Sequence, residues 1–364
     1  MTGSLIGEPI AALDTPALMV DLDVMAANIA VIAGACRERG VNWRPHTKGN
    51  KTIEIVRREL AAGAIGITCA KLGEVEVMAA AVSDILIANQ IVGAAKIRRL
   101  MQLPRSVDAI VAVDNPGNVA ELAAAAEAHG RRQRVAIEVN IGMNRAGVAP
   151  GGPVVGLAGA IAGHAGLRFA GLVAWESQAT TIADAAEKER VVAEGIRQLT
   201  ASADACRAAG HGVGIVSCGG TGTFPYCVRQ PGVTEVQVGG GIFGDVHYRD
   251  HYHVDFACGL TLLASVTSRP TPTRIILDAG RKALSSDAAM PEPLGLPPFS
   301  RLKLSAEHAT IELEAPSERP RVGDKVTLLV GYSDTTVHLH EEIVGTRGGI
   351  VEAIWPVAAR GKIK

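Results

Sequence analysis

The stretch Arg44-Pro45-His46-Thr47-Lys48 stands between a short β-type run at residues 40–43 and a helical pattern at residues 52–60. This strand–loop–helix order places Lys48 just past the carboxyl end of an early strand, where α/β folds keep their chemistry. Desolvation and nearby cations can remove the proton of such a lysine, and Arg44 and His46 are close in sequence. A neutral amine forms Schiff bases, which points to pyridoxal phosphate (PLP). Taken alone, however, the stretch is more typical of a solvated surface lysine.

Short β-branched runs alternate with alanine-rich amphipathic segments between about residue 17 and residue 245. Such alternation predicts parallel βαβ units, and roughly eight of them close a (β/α)₈ barrel. An open doubly wound sheet is the alternative, but no glycine fingerprint follows the first strand. The predicted strands are residues 17–20, 41–44, 65–70, 84–88, 109–113, 134–139, 168–174, 214–217 and 235–238.

After about residue 250 the helical periodicity disappears, and β-type runs punctuated by Pro and Gly take over. This change predicts a second, all-β domain. The expected fold is therefore an α/β barrel at residues 17–250, followed by a β domain at residues 251–364 to which residues 1–16 add an N-terminal strand.

The composition excludes several classes of function. The chain has 364 residues and a formal net charge of −1, so it carries no electrostatic footprint for nucleic acid or an anionic membrane. Its six cysteines form no CxxC pair, and their spacing predicts free thiols in a reducing compartment. We find no signal-peptide pattern and no apolar run of the ~18 residues that a membrane helix needs. These features predict a cytoplasmic globular protein.

Two glycine-rich turns end late strands of the predicted barrel, at residues 217–223 and at Gly239-Gly240-Gly241. Successive backbone N–H groups in such turns can cradle a phosphate, and the hydroxyls of Thr221 and Thr223 add donors. The loops after the last two strands of a barrel are its usual phosphate site. Tight turns need glycine in any case, so a phosphate site and plain turn geometry both stay open.

Two other predicted strand ends carry candidate side chains. Arg145 has a permanently charged fork that suits a cofactor phenolate or a substrate carboxylate, with an ion pair to Glu138 or a helix carboxylate as the alternative. Trp175 offers an aromatic face for stacking on a flat ring, with core packing as the alternative.

A candidate metal site lies at residues 332–342, which contain Asp334, His338 and His340. On a β-strand these positions share parity, so the three side chains would point the same way and could hold a divalent metal. Polar residues on the exposed face of a strand explain the pattern equally well. The histidines at 247–253 form a possible loop cluster.

Together these segments resemble the fold-type III PLP enzymes. They resemble in particular the family of D-threonine aldolase, 3-hydroxy-D-aspartate aldolase and D-serine dehydratase, whose N-terminal barrel is similar to that of alanine racemase. The resemblance spans nearly the whole chain. Its ordered motifs are residues 14–18 (DTPAL), 44–48 (RPHTK), 69–74 (CAKLGE), 144–147 (NRAG), 219–223 (GGTGT), 235–239 (EVQVG), 278–282 (DAGRK) and 334–337 (DTTV).

The resemblance implies roles for the candidate residues. Lys48 would form the Schiff base with PLP, and Arg145 would lie near the phenolic oxygen of the cofactor. The phosphate ligands and the cofactor neighbour that the resemblance implies are Thr221, Thr223, Gly239, Gly240 and Tyr248.

The resemblance also implies a divalent metal (Mn²⁺, Zn²⁺ or Mg²⁺), held by a His-x-Asp or His-x-Cys motif of the β domain. This sequence departs from that motif, because Tyr332 stands at the histidine position while Asp334 keeps the second position. A phenol with a pKa of about 10 is a poor metal ligand near neutral pH. Either His338 or His340 replaces the missing nitrogen ligand, or the metal requirement is altered. Trp175 likewise stands where the family usually has tyrosine.

The expected function is therefore a PLP-dependent, metal-assisted aldolase that cleaves D-threonine-like D-β-hydroxy-α-amino acids to glycine and an aldehyde. A homodimer is implied, because fold-type III enzymes commonly pair their subunits. A D-serine or D-threo-3-hydroxyaspartate dehydratase is the first alternative, although aspartate rather than cysteine at position 334 favours the aldolase. A non-catalytic PLP-binding protein is the second, but such proteins resemble only the barrel.

Overall fold

The computed structural model describes residues 5–364. In chain order, the strands of this part are β1 (Ala17–Asp21), β2 (Asn42–Trp43), β3 (Ile67–Cys69), β4 (Asp84–Gln90), β5 (Asp108–Val113), β6 (Gln133–Glu138), β7 (Leu167–Val173), β8 (Ile215–Cys218), β9 (Glu235–Val236), β10 (Leu260–Thr271), β11 (Arg274–Leu277), β12 (Glu292–Pro293), β13 (Phe299–Leu304), β14 (Ala309–Leu313), β15 (Lys325–Leu329), β16 (Glu342–Arg347) and β17 (Ile350–Pro356). The helices are α1 (Leu22–Arg39), α2 (Ile53–Ala61), α3 (Leu72–Met78), α4 (Ala94–Met101), α5 (Pro116–Ala128), α6 (Gly152–Ala162), α7 (Ala185–Ala208), α8 (Phe224–Cys227), α9 (Val246–Asp250) and α10 (Ser333–Thr336).

Contacts divide the described chain into two units. The barrel unit comprises residues 30–48, 53–239 and 361–364. The β unit comprises the chain up to Ile29, residues 49–52 and residues 240–360.

Eight parallel strands build the barrel unit, in the order β2-β9-β8-β7-β6-β5-β4-β3. Hydrogen bonds from Ile65 N to Trp43 O (2.9 Å) and from Thr68 N to Pro45 O (2.8 Å) close the ring between its first and last strands. The predicted (β/α)₈ barrel is confirmed, because these eight strands coincide with the predicted runs from residue 41 onward.

The barrel helices follow from local sequence signals and from an apolar core. Asn115 caps α5 by accepting from the amide of Gly117 at 2.8 Å, and Asp184 caps α7 by accepting from that of Glu187 at 2.8 Å. Within the described chain, none of the helices is long and apolar enough to cross a bilayer. One buried cluster of the barrel strands contains Leu86, Ile110, Ala112, Ala136 and Val173.

Arg44 belongs to an ion-pair network at the amino-terminal ends of the barrel strands. Its Nε lies 2.9 Å from Glu235 Oε1, and its Nη2 lies 3.1 Å from Asp84 Oδ2. Glu235 and Asp84 are the first residues of β9 and β4. The expectation that Arg44 acts as a cation beside Lys48 is therefore wrong, since carboxylates that begin two strands already neutralise its guanidinium.

The β unit contains a mixed sheet with the strand path β13-β14-β11-β10-β1-β16-β17, and β15 pairs with both β10 and β12. Strand β1 lies antiparallel to β10 and parallel to β16. The predicted barrel strand at residues 17–20 thus exists, but it pairs in the other sheet, because its apolar side chains pack with those of β10 and β16. Of the N-terminal strand predicted at residues 1–16, Ile10–Ala12 form a 3₁₀ helix, and residues 1–4 lie outside the described residues.

Candidate active site

Lys48 lies beyond the carboxyl end of β2, in a 3₁₀ turn over Thr47–Gly49. Its backbone N–H donates to His46 Nδ1 at 3.3 Å. The hydroxyl of the buried Thr47 donates to Glu74 Oε1 at 2.7 Å, and Glu74 Oε2 accepts from the amide of Ala70 at 2.9 Å. The buried carboxylate of Glu74 therefore orders the backbone beside Lys48. Sequence analysis missed this role, because only its place in the CAKLGE motif singled Glu74 out.

The barrel unit brings three predicted site residues together. Lys48 Nζ lies 5.4 Å from the centroid of the Trp175 ring, and Arg145 Cζ lies 5.6 Å from it. Both distances are within the ~6 Å range of cation–π contacts. Glu138, the alternative partner of Arg145, accepts a hydrogen bond from Gln90 Nε2 at 2.5 Å and also interacts electrostatically with Arg145. The arrangement places the ends of two basic side chains near one aromatic ring.

The glycine turns pack closely against these groups. Gly219 has a φ of +76°, and a Cβ built on Gly220 would lie 2.9 Å from Trp175 Nε1. A Cβ on Gly239 would lie 2.1 Å from the carbonyl oxygen of His46. Close backbone approach therefore requires glycine at these positions. The turn after β8 meets Trp175, and the turn after β9 meets the loop that carries Lys48.

Glu176 holds the first glycine turn in place, although the sequence analysis assigned it no role. It is fully buried, and it accepts hydrogen bonds from Thr223 Oγ1, from Gly219 N at 3.4 Å and from Cys227 Sγ at 3.3 Å. Burial raises the pKa of the Cys227 thiol, so this thiol keeps its proton and donates it. The hydroxyl of Thr223 thus stabilises the first glycine turn through its hydrogen bond to Glu176.

The ligand atoms of Glu176, Cys218 and Cys227 all lie within 4.8 Å of one another. In residues 5–364, these three side chains are the group of His, Cys, Asp or Glu whose ligand atoms lie close enough together to bind one metal ion. The hydrogen bonds of Glu176 account for the arrangement without an ion.

In the β unit, Tyr248 lies on α9 and packs on the second glycine turn. A Cβ on Gly240 would lie 2.2 Å from Tyr248 Oη. Asp245 caps α9 by accepting from Tyr248 N at 2.8 Å, and it also accepts from Ser333 N at 2.8 Å and Ser333 Oγ at 2.7 Å. Burial raises the pKa of Asp245 to about 7. The bonds of Asp245 join α9 to α10.

Asp334 lies in α10 and accepts a phenolic hydrogen bond on each carboxylate oxygen. Tyr248 Oη donates to Oδ1 at 3.2 Å, and Tyr332 Oη donates to Oδ2 at 3.1 Å. A Cβ on Gly49 would lie 2.5 Å from Oδ1, so the backbone of Gly49 already packs against that oxygen. Burial, with the negative charge of Asp334, raises the pKa of Tyr332.

The strand on which the predicted metal site depended is absent from the structure. Residues 333–336 form α10 and Val337–Leu339 form a 3₁₀ helix, so the parity argument for Asp334, His338 and His340 is wrong. His340 Nε2 lies 2.8 Å from the carbonyl oxygen of Ala283, and His338 is exposed. The structure does not bring either histidine to Asp334 as a hydrogen-bond partner.

An aromatic cluster surrounds Asp334 in this aromatic-poor chain. The ring centroid of His247 lies 4.7 Å from that of Tyr332 and 4.6 Å from that of Tyr252, and the rings of Tyr248 and Tyr332 are 5.6 Å apart. The cluster contains three of the four tyrosines in the chain. The histidine-rich run at 247–253 was the sequence signal for it.

Comparison with known proteins agrees with this architecture. The family model described as "Alanine racemase, N-terminal domain" matches residues 20–247, and "Putative serine dehydratase domain" matches residues 259–346. A D-threonine aldolase from Arthrobacter sp. is 34% identical over 359 residues, which cover 98% of this chain and 95% of that protein. The chain belongs to the D-threonine aldolase and 3-hydroxy-D-aspartate aldolase family.

Two further members support this membership. A 3-hydroxy-D-aspartate aldolase from Paracoccus denitrificans is 32% identical over 361 residues, which cover 96% of this chain and 93% of that protein. The crystal structure of D-threonine aldolase from Filomicrobium marinum superposes with a TM-score of 0.94 at 35% identity, and 99% of each chain is covered. The resemblance seen in the sequence is thereby confirmed. The family depends on PLP, as the sequence analysis expected.

Proposed function

We propose that this chain is a homodimeric, PLP-dependent aldolase that cleaves D-β-hydroxy-α-amino acids to glycine, or a related amino acid, and an aldehyde. The observation that carries the proposal is the placement of Lys48 and Arg145 at the ring of Trp175, at 5.4 Å and 5.6 Å, in a chain of this family. A cofactor-binding lysine, a charged anchor and an aromatic face are the groups that a flat, anionic cofactor needs.

The residues present fit PLP. Gly239 and Gly240 are buried, and their amides donate no hydrogen bond within residues 5–364, so phosphate oxygens would supply acceptors for them. The hydroxyl of the buried Thr221 is the further donor that we propose for the phosphate. Thr223, which bonds Glu176, would contribute by holding the turn. When bound, PLP supplies an electron sink for the carbon–carbon cleavage.

Three side chains of the barrel unit would then bind different parts of the cofactor and the substrate. The Lys48 amine would hold the cofactor through its aldehyde carbon. Arg145 would hold an anionic oxygen of the cofactor or the substrate through its permanent charge. Trp175 would present its ring to flat or cationic groups. Its packing on Gly220 fixes that ring against the first glycine turn.

Product analysis tests the proposal directly. We expect purified, PLP-loaded protein to convert D-threonine to equimolar glycine and acetaldehyde, and to leave L-threonine unchanged. Chromatography of derivatised amino acids and an aldehyde-trapping assay measure the two products. Light scattering of the same preparation checks the homodimer.

Other products would replace the proposed function. Formation of 2-oxobutyrate and ammonia from D-threonine, or pyruvate from D-serine, identifies a dehydratase. Retention of PLP without turnover of D-threonine, D-serine or either 3-hydroxy-D-aspartate epimer identifies a PLP-binding protein without catalytic activity.

Glu176→Gln is expected to weaken PLP binding. Glu176 accepts from three donors, and the amide nitrogen of glutamine would face one of them with a donor of its own. A buried donor without an acceptor costs about 1–3 kcal/mol, so we expect the Kd for PLP to rise at least about fivefold. Absorbance titration of the cofactor-free protein with PLP measures this change.

Cys227→Ala is the matched control, because it removes a weak thiol donor to Glu176 and leaves the carboxylate itself in place. Its Kd for PLP should stay within about twofold of the wild-type value. Equal Kd values for Glu176→Gln and the wild type, with both proteins folded by circular dichroism, would show that the turn keeps its shape without this carboxylate.

A further inference from the structure

The residues around Asp334 do not fit the divalent metal that the family resemblance implies. Sites for Mn²⁺ or Zn²⁺ combine carboxylate with imidazole or further oxygen ligands. Here the position two residues before Asp334 holds a tyrosine, and its phenol donates a hydrogen bond to Oδ2 at 3.1 Å. A protonated phenol presents a hydrogen to the carboxylate where a metal site would present a lone pair to the ion.

The other oxygen of Asp334 is enclosed as well. Oδ1 accepts from Tyr248 Oη at 3.2 Å, and the Gly49 backbone packs so closely that an added Cβ would lie 2.5 Å from this oxygen. An ion with its remaining water ligands would have to displace these neighbours. Each oxygen of the carboxylate thus accepts a hydrogen bond from a neutral phenol.

Within the described chain, the three nearby histidines do not hydrogen-bond to Asp334. His340 bonds the carbonyl oxygen of Ala283, and His338 is exposed. His247 packs its ring against Tyr332, at 4.7 Å between centroids. In residues 5–364, no three His, Cys, Asp or Glu side chains that include Asp334 converge on a common point.

We infer that the hydroxyls of Tyr332 and Tyr248, and not a divalent metal, occupy the Asp334 carboxylate in this protein. The inference deepens the proposed function, and only its activity readout rests on that function. It means that this member of the family works without a divalent metal at Asp334, and that the exchange of histidine for tyrosine at position 332 is what closes the metal site.

Metal binding tests this inference without any turnover. The PLP-loaded protein is treated with EDTA, desalted and titrated with Mn²⁺, while electron paramagnetic resonance follows the free aqueous ion. We expect the wild type to bind less than about 0.1 Mn²⁺ per chain, and Tyr332→His, which restores an imidazole beside Asp334, to bind about one. Tyr332→Phe, which removes the hydroxyl but adds no ligand, should bind no more than the wild type.

Each outcome decides the question. Mn²⁺ binding by the wild type that disappears in Asp334→Asn overturns the inference, whether His247 or another group supplies the second ligand. Binding that persists in Asp334→Asn belongs to another site, such as Glu176, Cys218 and Cys227, and leaves the assignment of Asp334 standing. A folded Tyr332→His protein without added binding refutes the role given to the tyrosine.

Activity provides a separate readout. We expect D-threonine cleavage by the wild type to change less than about twofold after EDTA treatment, and an at least tenfold loss would overturn the inference. Absence of cleavage in both samples would refute the proposed function, while the Mn²⁺ titration would still decide the metal question.

Discussion

Lys48→Ala is expected to abolish the ~420 nm absorbance of the PLP–lysine adduct and to lower D-threonine cleavage at least about 10³-fold, because it removes the proposed cofactor-binding amine. The Lys48 Nζ lies 5.4 Å from the Trp175 ring centroid, in a loop held by the bond between Thr47 and Glu74. Alanine at position 48 leaves that side-chain bond in place. Absorbance spectra and steady-state assays of the PLP-loaded variant measure both effects.

Lys71→Ala is the matched control. Lys71 also follows the carboxyl end of a barrel strand, β3, but it is exposed and precedes α3. Its variant should keep the wild-type spectrum and rate. A Lys48→Ala protein that retained the ~420 nm band would show that another lysine binds the cofactor.

Glu235→Gln is expected to lower the free energy of unfolding by about 3–5 kcal/mol, because it removes the charge that accompanies a buried guanidinium. Arg44 and Glu235 side chains are 2% and 3% exposed, and two hydrogen bonds of 2.9 Å and 3.2 Å join them. Glutamine keeps the shape of glutamate but leaves Arg44 with Asp84 as its charged partner. Urea unfolding followed by circular dichroism measures the loss.

Two further variants separate charge from packing. Asp84 is 32% exposed, so Asp84→Asn should cost only about 1 kcal/mol. The double variant Arg44→Met/Glu235→Leu removes both charges and should recover most of the loss, since apolar pairs of similar volume often replace buried ion pairs without penalty. Equal unfolding midpoints for Glu235→Gln and Asp84→Asn would contradict the importance given to burial.

Most of the barrel was predictable because its signals are local. A parallel strand covered by helices is a short apolar run, and eight such runs from residue 41 onward became strands. The run at residues 17–20 looks the same, yet it pairs with β10 and β16. Composition shows that a strand will be buried, whereas its partners are chosen by contacts hundreds of residues away in the chain.

In the candidate site, too, local features were predictable and long-range contacts were not. The positions of Lys48 and of both glycine turns followed from strand ends and from the conformational needs of glycine. The metal-site hypothesis assumed a strand after Tyr332, but Ser333 donates two hydrogen bonds to Asp245, 88 residues earlier, and α10 begins there. The periodicity of the segment cannot predict a hydrogen-bond partner that lies so far away in the sequence.

The sequence by itself determined the alternation of strands and helices, the place of Lys48 after an early strand, and the exchange of histidine for Tyr332. Only the tertiary structure decided what these residues contact: Trp175 for Lys48, Glu235 for Arg44, and two phenols for Asp334. The physical reason is that a strand end or a turn depends on neighbours along the chain, whereas the ligands of a carboxylate depend on side chains that folding brings to it.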